Sequence, residues 1–581
     1  MDLENIKQTD IWVLYMRSVN YCRRMGMYSD TDKNYNFYNG NHWDGLKVKG
    51  IEPVQHNFIR PIVKYKVGVI NSNLWGINFS SNNFENKEFR KTAEKTCELL
   101  NRRAARIWEK DNMDKQVRDV SKDSAINDEG VMYVYWDEES GMPVNEVLNK
   151  NDIYYGNENE QDIKRQPYIL VKKRMSIVEA QEYARANGVS EENIKFIVGD
   201  KDNLEEAGQL ARDEKDDMVT LVTKFYKMNG TIHFAQATKY IDISKDKNTG
   251  YKNYPVAHFI WEEKKGSARG EGEVRHLIPN QLETNKTAMR RLITVKNTAY
   301  PQKVVNIEKI MNPSALNEVG GIIKIKGGVS VDDVAKVFAN IPPAQMSPDV
   351  KVLQEELIQS TRDLAGAGDI ATGDVDPESA SGRAILAVQQ AAQQPLVEQL
   401  GALKSFVEDL ARIWLDMITV NAAGGIQLEE EITDPTTGEK YIQLVKVDQV
   451  TLNELKANIK VDITPKGAFD KYAQEMSLEN LLKNGFFAPQ MIGQLKVYVK
   501  ALDDDSVMPK QKLLEVIEEY EKDQQRIAQI QAEAQMMQQR AMQFLTEDPD
   551  AQSSQMLEAM NGGTTGAIPE EVMMNEEVPA F

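Results

Sequence analysis

The stretch "IATGDVDPESASGRAILAV", residues 370–388, separates two segments that both read as long helices. Before it, "SPDVKVLQEELIQSTRDL" (347–364) opens as a helix should, with Ser347 as cap, Pro348 at the first position and Asp349 at the positive end. Its Val350, Leu353, Leu357 and Leu364 form one apolar stripe. After it, Ser381 caps a predicted helix over 383–421 that keeps Ile385, Val388, Ala392, Leu396, Leu403, Val407, Leu410 and Trp414 on one face, with a bend at Pro395. The interruption is made of small residues and carries Asp369, Asp374, Asp376 and Glu378 against Arg383 alone. Taken by itself, such a composition suits a solvated linker.

Working outward, the same pattern continues in both directions. A helix of roughly 25 residues emerges from "GEGEVRHLIPNQLETNKTAMRRLITVKNTAY" (270–300) and stops at Pro301. Short β segments, "KVVNIEKI" and "GGIIKIKGG", separate it from the helix at 347. The first 265 residues read as mixed α+β. Helices are expected over 3–28, around 57–70 and near 86–128, with "NYNFYNGNHWDG" (34–45) breaking the first and its aromatics anchoring a loop. Hairpins are expected about Ser140-Gly141 and about Asn229-Gly230, and a short helix carries the capping box Ser176/Glu179 before ending at Gly188. Beyond 421, "IQLEEEI" and "KYIQLVKV" form a hairpin, helices fill 469–545, and the tail from 546 has a disordered composition. The helix over 508–545 has irregular apolar spacing, which fits packing against neighbours or a free-standing tube of helices.

Composition closes off several functions. A formal charge of −19 argues against a protein that coats nucleic acid, because that affinity comes from Lys and Arg displacing counterions. Cys22 and Cys97 make neither a disulfide framework nor a cysteine zinc site. No glycine is followed by lysine, so no phosphate-binding loop of the packaging-motor kind is present. "GSARGEG" (266–272) lacks the strand–loop–helix context of a dinucleotide site and reads as a flexible lead-in to the next helix. His42, His56, His233, His258 and His276 show no metal-ligand spacing, "LDDDSVM" and "DKDNLEEAG" do not match a calcium loop, and no GxSxG occurs. No enzyme, metal or cofactor is expected. No apolar run approaches the roughly 18 residues of a membrane span and the N-terminus does not read as a secretory leader, so a cytoplasmic origin without membrane contact is expected. Lys286, Arg290 and Arg291 spread around their helix, which suits paired, solvated charge as well as a DNA-facing role.

At "NYNFYNGNHWDG", at "EPVQHNFIRPIVKYKVG" (52–68) and at "GEGEVRHLIPNQLETNK" (270–286) the chain resembles portal proteins of tailed double-stranded DNA bacteriophages. The order of elements carries the resemblance further than any one motif. It implies an α+β portal fold: a wing from 1–270 and 383–470, stem helices at 271–302 and 347–368, a clip at 303–346, a tunnel loop at 369–382, a helical crown or barrel at 471–545, and a tail at 546–581. It implies a homododecameric ring at one capsid vertex of the virion, assembled in the host bacterial cytoplasm. Its partners would be the major capsid protein, the terminase large subunit, a head-completion or adaptor protein, and the DNA passing through. The channel would be lined by Asp369, Thr372, Gly373, Asp374, Asp376, Glu378, Ser379 and Ser381. Small residues suit a loop crowded by eleven copies of itself, and acidity gives phosphates little to hold. A basic ring would come from Lys286, Arg290 or Arg291. Docking would use Lys309, Lys324, Lys326, Asp332 and Asp333 of the clip. The rival readings are a minor capsid or tail protein without a channel, and a terminase-like enzyme, which lacks its phosphate loop.

Overall fold

A computed structural model describes residues 7–44, 53–72, 75–81, 87–200, 218–299, 303–318, 322–326, 337–342, 346–366, 394–421, 426–433, 440–447, 459–465, 477–484, 492–502 and 510–547. The chain divides into two compact units, Met1–Gly467 and Ala468–Phe581. Both helix and strand are well represented, so the fold is mixed α+β.

The first unit runs α1 (Asp10–Arg24), α2 (Met27–Asn39), α3 (Ile59–Ile70), β1 (Trp75–Ser81), α4 (Lys87–Lys110), α5 (Met113–Ile126), β2 (Glu129–Asp137), β3 (Met142–Leu148), β4 (Ile153–Tyr155), β5 (Tyr168–Ser176), α6 (Ile177–Ala186) and α7 (Glu191–Ile194). It continues through β6 (Met218–Met228), β7 (Thr231–Ala237), β8 (Asp242–Asn248), β9 (Val256–Ile260), α8 (Glu273–Ala299), β10 (Lys303–Val305), β11 (Phe338–Asn340), α9 (Asp349–Leu364), α10 (Val397–Asn421), β12 (Ile426–Thr433), β13 (Lys440–Val447) and β14 (Ile459–Pro465). The second unit contributes α11 (Ile492–Ala501) and α12 (Lys510–Glu547).

Five antiparallel strands in the order β4-β5-β6-β7-β8 form the larger sheet, and β3-β2-β9 form a smaller one. Period-two alternation sorts the larger sheet's side chains. Tyr154, Leu170 and Val222 pack on Trp12, Tyr15 and Val19 of α1, while Ile153, Ile169, Val171 and Phe225 turn to Val131 and Val256 of the smaller sheet. A separate, larger core gathers Ile59, Leu100, Ile107, Val120, Phe259, Phe406 and Trp414 from α3, α4, α5, β9 and α10, with Trp261 just after β9. The apolar face expected for the helix after the interruption is therefore real over its described length: Leu396, Leu403, Val407, Leu410 and Trp414 are all buried.

Local signals are met where they are strong. Asn229 and Gly230 both take positive φ, 52° and 84°, in the β6–β7 turn. Ser176 and Glu179 form the reciprocal capping box of α6. Other expectations are corrected. The break in the first helix falls at Gly26, which adopts φ 73°, whereas "NYNFYN" is helical and ends at Gly40; the aromatics Phe37 and Tyr38 do reach the core. The helix expected over 86–128 is two, parted at Asn112 in a left-handed conformation. Pro395 lies in a 3-10 turn, Gln394–Leu396, just before α10, while residues 383–393 of the helix expected there, with Ile385, Val388 and Ala392, lie outside the described residues. In α9 the buried side chains are Gln354 and Thr361, while Leu353 and Leu364 of the expected stripe are exposed, because polar contacts join this helix to its neighbour.

Candidate functional site: the root and arm of the long helix

The segment expected to be a flexible lead-in is tightly packed at both of its later glycines. A Cβ on Gly270 would lie 2.2 Å from Ile260 Cγ2 and 2.3 Å from the Glu262 carbonyl, and one on Gly272 would lie 2.4 Å from the Asn127 carbonyl. Both glycines are there for close backbone approach. Arg269, the residue before the first of them, is almost fully buried. Its guanidinium pairs with Glu129, donates to both Glu158 carboxylate oxygens at 3.0 and 3.3 Å and to the Ile153 carbonyl at 3.2 Å, and lies 4.9 Å from the Tyr155 ring centroid. Glu129 also meets His258 Nε2 at 2.8 Å and accepts from the Tyr155 hydroxyl at 2.9 Å. Burial alone would raise the Glu129 pKa, but the Arg269 charge and the His258 contact outweigh it and bring the carboxyl to about 2.

From this anchor α8 departs. Glu273 in its first turn pairs with Lys66 of α3 at 2.7 Å. Shortly after Pro279, Gln281 and Asn285 stand at i,i+4 on one face and are wholly buried. Gln281 accepts from Phe58 N at 3.1 Å and donates to the His56 carbonyl at 2.6 Å and to Asn285 Oδ1 at 3.0 Å. Asn285 Oδ1 accepts from His56 N at 3.2 Å, and its amide donates to His42 Nδ1 at 2.8 Å. Since the Phe37 carbonyl 2.9 Å from His42 Nε2 only accepts, that nitrogen carries the proton. Burial pushes the His42 pKa down, in keeping with a neutral ring. The motifs "NGNHWDG", "VQHNF" and "NQLETNK" thus converge in space.

Beyond Met289 the helix leaves this packing, and residues 295–299 are exposed. It runs antiparallel to α9, as two polar rungs show: Asn280 donates to Thr361 Oγ1 at 2.9 Å and Arg291 to Gln354 Oε1 at 2.7 Å. At the far end β10 pairs with β11, and a bridge joins Ile310 to Ile325. Of the bases expected to face DNA, Lys286 and Arg290 share Glu283 at 3.5 and 3.0 Å, and Arg291 is taken up between the helices. The bridge brings Lys309 and Lys326 together, the Lys326 amide donating to the Lys309 carbonyl at 3.0 Å, with Lys324 beside them. All three side chains are exposed and have no ion pair among the described residues.

Asp332 and Asp333 lie outside the described residues, as do Asp369, Thr372, Gly373, Asp374, Asp376, Glu378, Ser379 and Ser381. The residues that sequence reasoning missed are Arg269, Glu129, Gln281 and Asn285. A lone arginine between glycines and a Gln/Asn pair at helical spacing were the available signals.

Among the described residues no cluster of His, Cys, Asp and Glu could hold a metal ion, and no helix is long and apolar enough to cross a membrane. A family profile described as "Phage P22-like portal protein" matches residues 27–563. The chain belongs to that family. It is accordingly a portal protein and not an enzyme: part of an oligomeric ring at a capsid vertex of the phage virion, through which DNA passes. No curated protein matches the chain.

Proposed function

We propose that twelve copies form the ring, with 1–270 and 383–470 as wing, α8 and α9 as stem, 303–346 as clip, 369–382 as tunnel loop and 471–545 as crown or barrel. The observation that carries this reading is the antiparallel α8–α9 pair with its small β module. On that arm Leu292, Val295, Val304, Ile307, Met311, Ile322 and Leu353 are exposed in the single chain. A soluble protein rarely leaves such a band uncovered, and neighbouring copies in a ring would cover it. The clip presents Lys309, Lys324 and Lys326 to the terminase large subunit during packaging and to head-completion proteins afterwards, and the wing meets the major capsid protein.

The acidic tunnel loop lets phosphates slide past, while Lys286 and Arg290, half neutralised by Glu283, offer only a weak hold on DNA. Mass measurement of the purified assembly together with end-on negative-stain images tests the ring. Twelve subunits around a hole are expected, and single copies or closed particles would overturn it. Deleting 303–346 tests the clip: rings should persist while docking of the packaging ATPase is lost, and normal docking would show the assignment to be wrong.

A further inference from the structure

Two buried amides on α8, Gln281 and Asn285, and the buried ring of His42 form a relay whose ends are backbone groups of fixed polarity. At one end the Phe58 and His56 amides can only donate, to Gln281 Oε1 at 3.1 Å and to Asn285 Oδ1 at 3.2 Å, while the His56 carbonyl can only accept, from Gln281 Nε2 at 2.6 Å. Gln281 Nε2 also donates to Asn285 Oδ1 at 3.0 Å, so that oxygen is fully used. The Asn285 nitrogen is thereby left to donate to His42 Nδ1 at 2.8 Å, which must accept. At the other end the Phe37 carbonyl accepts from His42 Nε2 at 2.9 Å, and the Phe37 ring stacks on the imidazole at 5.0 Å and 16°.

A proton added at His42 Nδ1 would set two donors against each other. Turning Asn285 over to present its oxygen would aim its NH2 group at the His56 amide and at Gln281 Nε2. Turning Gln281 as well would set its NH2 group against the Phe58 amide and its oxygen against the His56 carbonyl. Neither orientation of the two amides satisfies a charged His42, and each buried mismatch is costly. We propose that the relay is a pH-sensitive latch: with His42 neutral it fixes the rotation of α8 on the 56–58 backbone, and protonation of His42 releases it. Burial, which holds the His42 pKa below its ordinary 6.5, acts in the same sense. His42 has no ion pair among the described residues. On the elements around it Asp44 accepts from Asn36 and raises the pKa of Asp32, Arg60 and Lys122 lie over the Tyr38 ring, His56 is exposed, and Glu283 and Lys286 pair with each other. None of these charges acts on His42, which answers to its burial and to the Phe37 carbonyl. The proposal is independent of the assignment of clip and tunnel.

The latch holds fully above 6.5 and weakens as pH falls below it, because the open state then binds a proton that the closed state refuses. Between about pH 7.5 and pH 5 opening should become up to about 30-fold more frequent, the ceiling for one proton against a solvated 6.5. Glu129 loses its contribution only below about 4.5, outside this interval. Hydrogen exchange of the full-length protein tests the latch, corrected for intrinsic rates and read at the His56 and Phe58 amides and over 281–289. Exchange at the histidine ring carbon reports the protonation midpoint of His42 itself. A midpoint below 6.5 and a rise in opening of about threefold or more are expected. His42→Gln removes the titration and should flatten the pH dependence, the other histidines being unchanged. Asn285→Asp offers a protonated His42 an ion pair and should move its midpoint up by about one pH unit or more. A midpoint at or above 6.5 in the unsubstituted protein, a smaller rise in opening, or acid loosening that persists in His42→Gln would overturn the proposal, as would a midpoint unmoved by Asn285→Asp. The first two of these results need no variant to fold.

Discussion

Replacing Arg269 by Met removes a charge on which the root of the long helix depends. The guanidinium satisfies Glu129, both oxygens of Glu158 and the Ile153 carbonyl. Without it Glu129, whose side chain has no solvent exposure, keeps only His258 and Tyr155. Breaking a buried pair by removing one partner costs about 3–5 kcal/mol, because the remaining charge stays desolvated. At about 1.4 kcal/mol per decade, local opening should become roughly 10²- to 4 × 10³-fold more frequent. Hydrogen exchange read by mass spectrometry on peptides covering β2, β9 and the first turn of α8 measures this directly. Substituting Glu129→Leu together with Arg269→Met should recover much of the loss, since neither charge is then buried. A change below tenfold in the single variant, in protein that is otherwise folded, would refute the reasoning. A double variant worse than the single one would show that the two side chains do not act as a pair.

Three further outcomes are expected. Gly270→Ala forces backbone apart at Ile260 and Glu262 and should cost about 2–3 kcal/mol, seen as a fall of several degrees in melting temperature; an unchanged value would contradict the packing described. Glu129 has a folded pKa near 2 against an ordinary 4.5, so its contribution is complete above about 4.5 and drains away as pH falls towards 2. Melting temperatures of wild type and Glu129→Gln should therefore converge across that interval, and parallel curves would argue against the linkage. Replacing Asp374, Asp376 and Glu378 by Lys should slow packaging or DNA release by giving phosphates something to bind, and unaltered rates for both would remove the tunnel assignment.

What was legible in the sequence was local or ordered along the chain. The capping box of α6 needs residues three apart, and the β6–β7 turn needs two adjacent ones. The succession of helix, β module and helix is a property of order, which the structure keeps. Arg269 could not be read this way, because its partners Glu129 and Glu158 lie 140 and 111 positions away. Gln281 and Asn285 look like any polar helix residues until Phe58, His56 and His42, more than 220 positions earlier, are folded against them. The α9 stripe fails for a different reason. Periodicity finds an apolar face but cannot say what covers it, and the single chain covers the adjoining face through Gln354 and Thr361. The glycines of "GSARGEG" mislead because flexibility and close approach demand the same residue.

The kind of contact chosen at the root of α8 has a mechanical consequence. Apolar packing alone tolerates rotation and sliding of a helix, since many arrangements bury similar area, whereas hydrogen bonds and ion pairs reward few geometries. Here Arg269 fixes where the helix begins, Lys66–Glu273 holds its first turn, and Gln281 and Asn285 lock its rotation against the 56–58 backbone. Ten residues extend from Met289, the last buried position, to Ala299, or about 15 Å at 1.5 Å per residue. A tilt of about 10° at Met289, where the helix leaves its packing, would shift that end by roughly 2.6 Å over this length, enough to break a hydrogen-bonded contact at the β module. Around a ring the same displacement would be repeated by every subunit, so directional bonds at the root are what keep the arms in register.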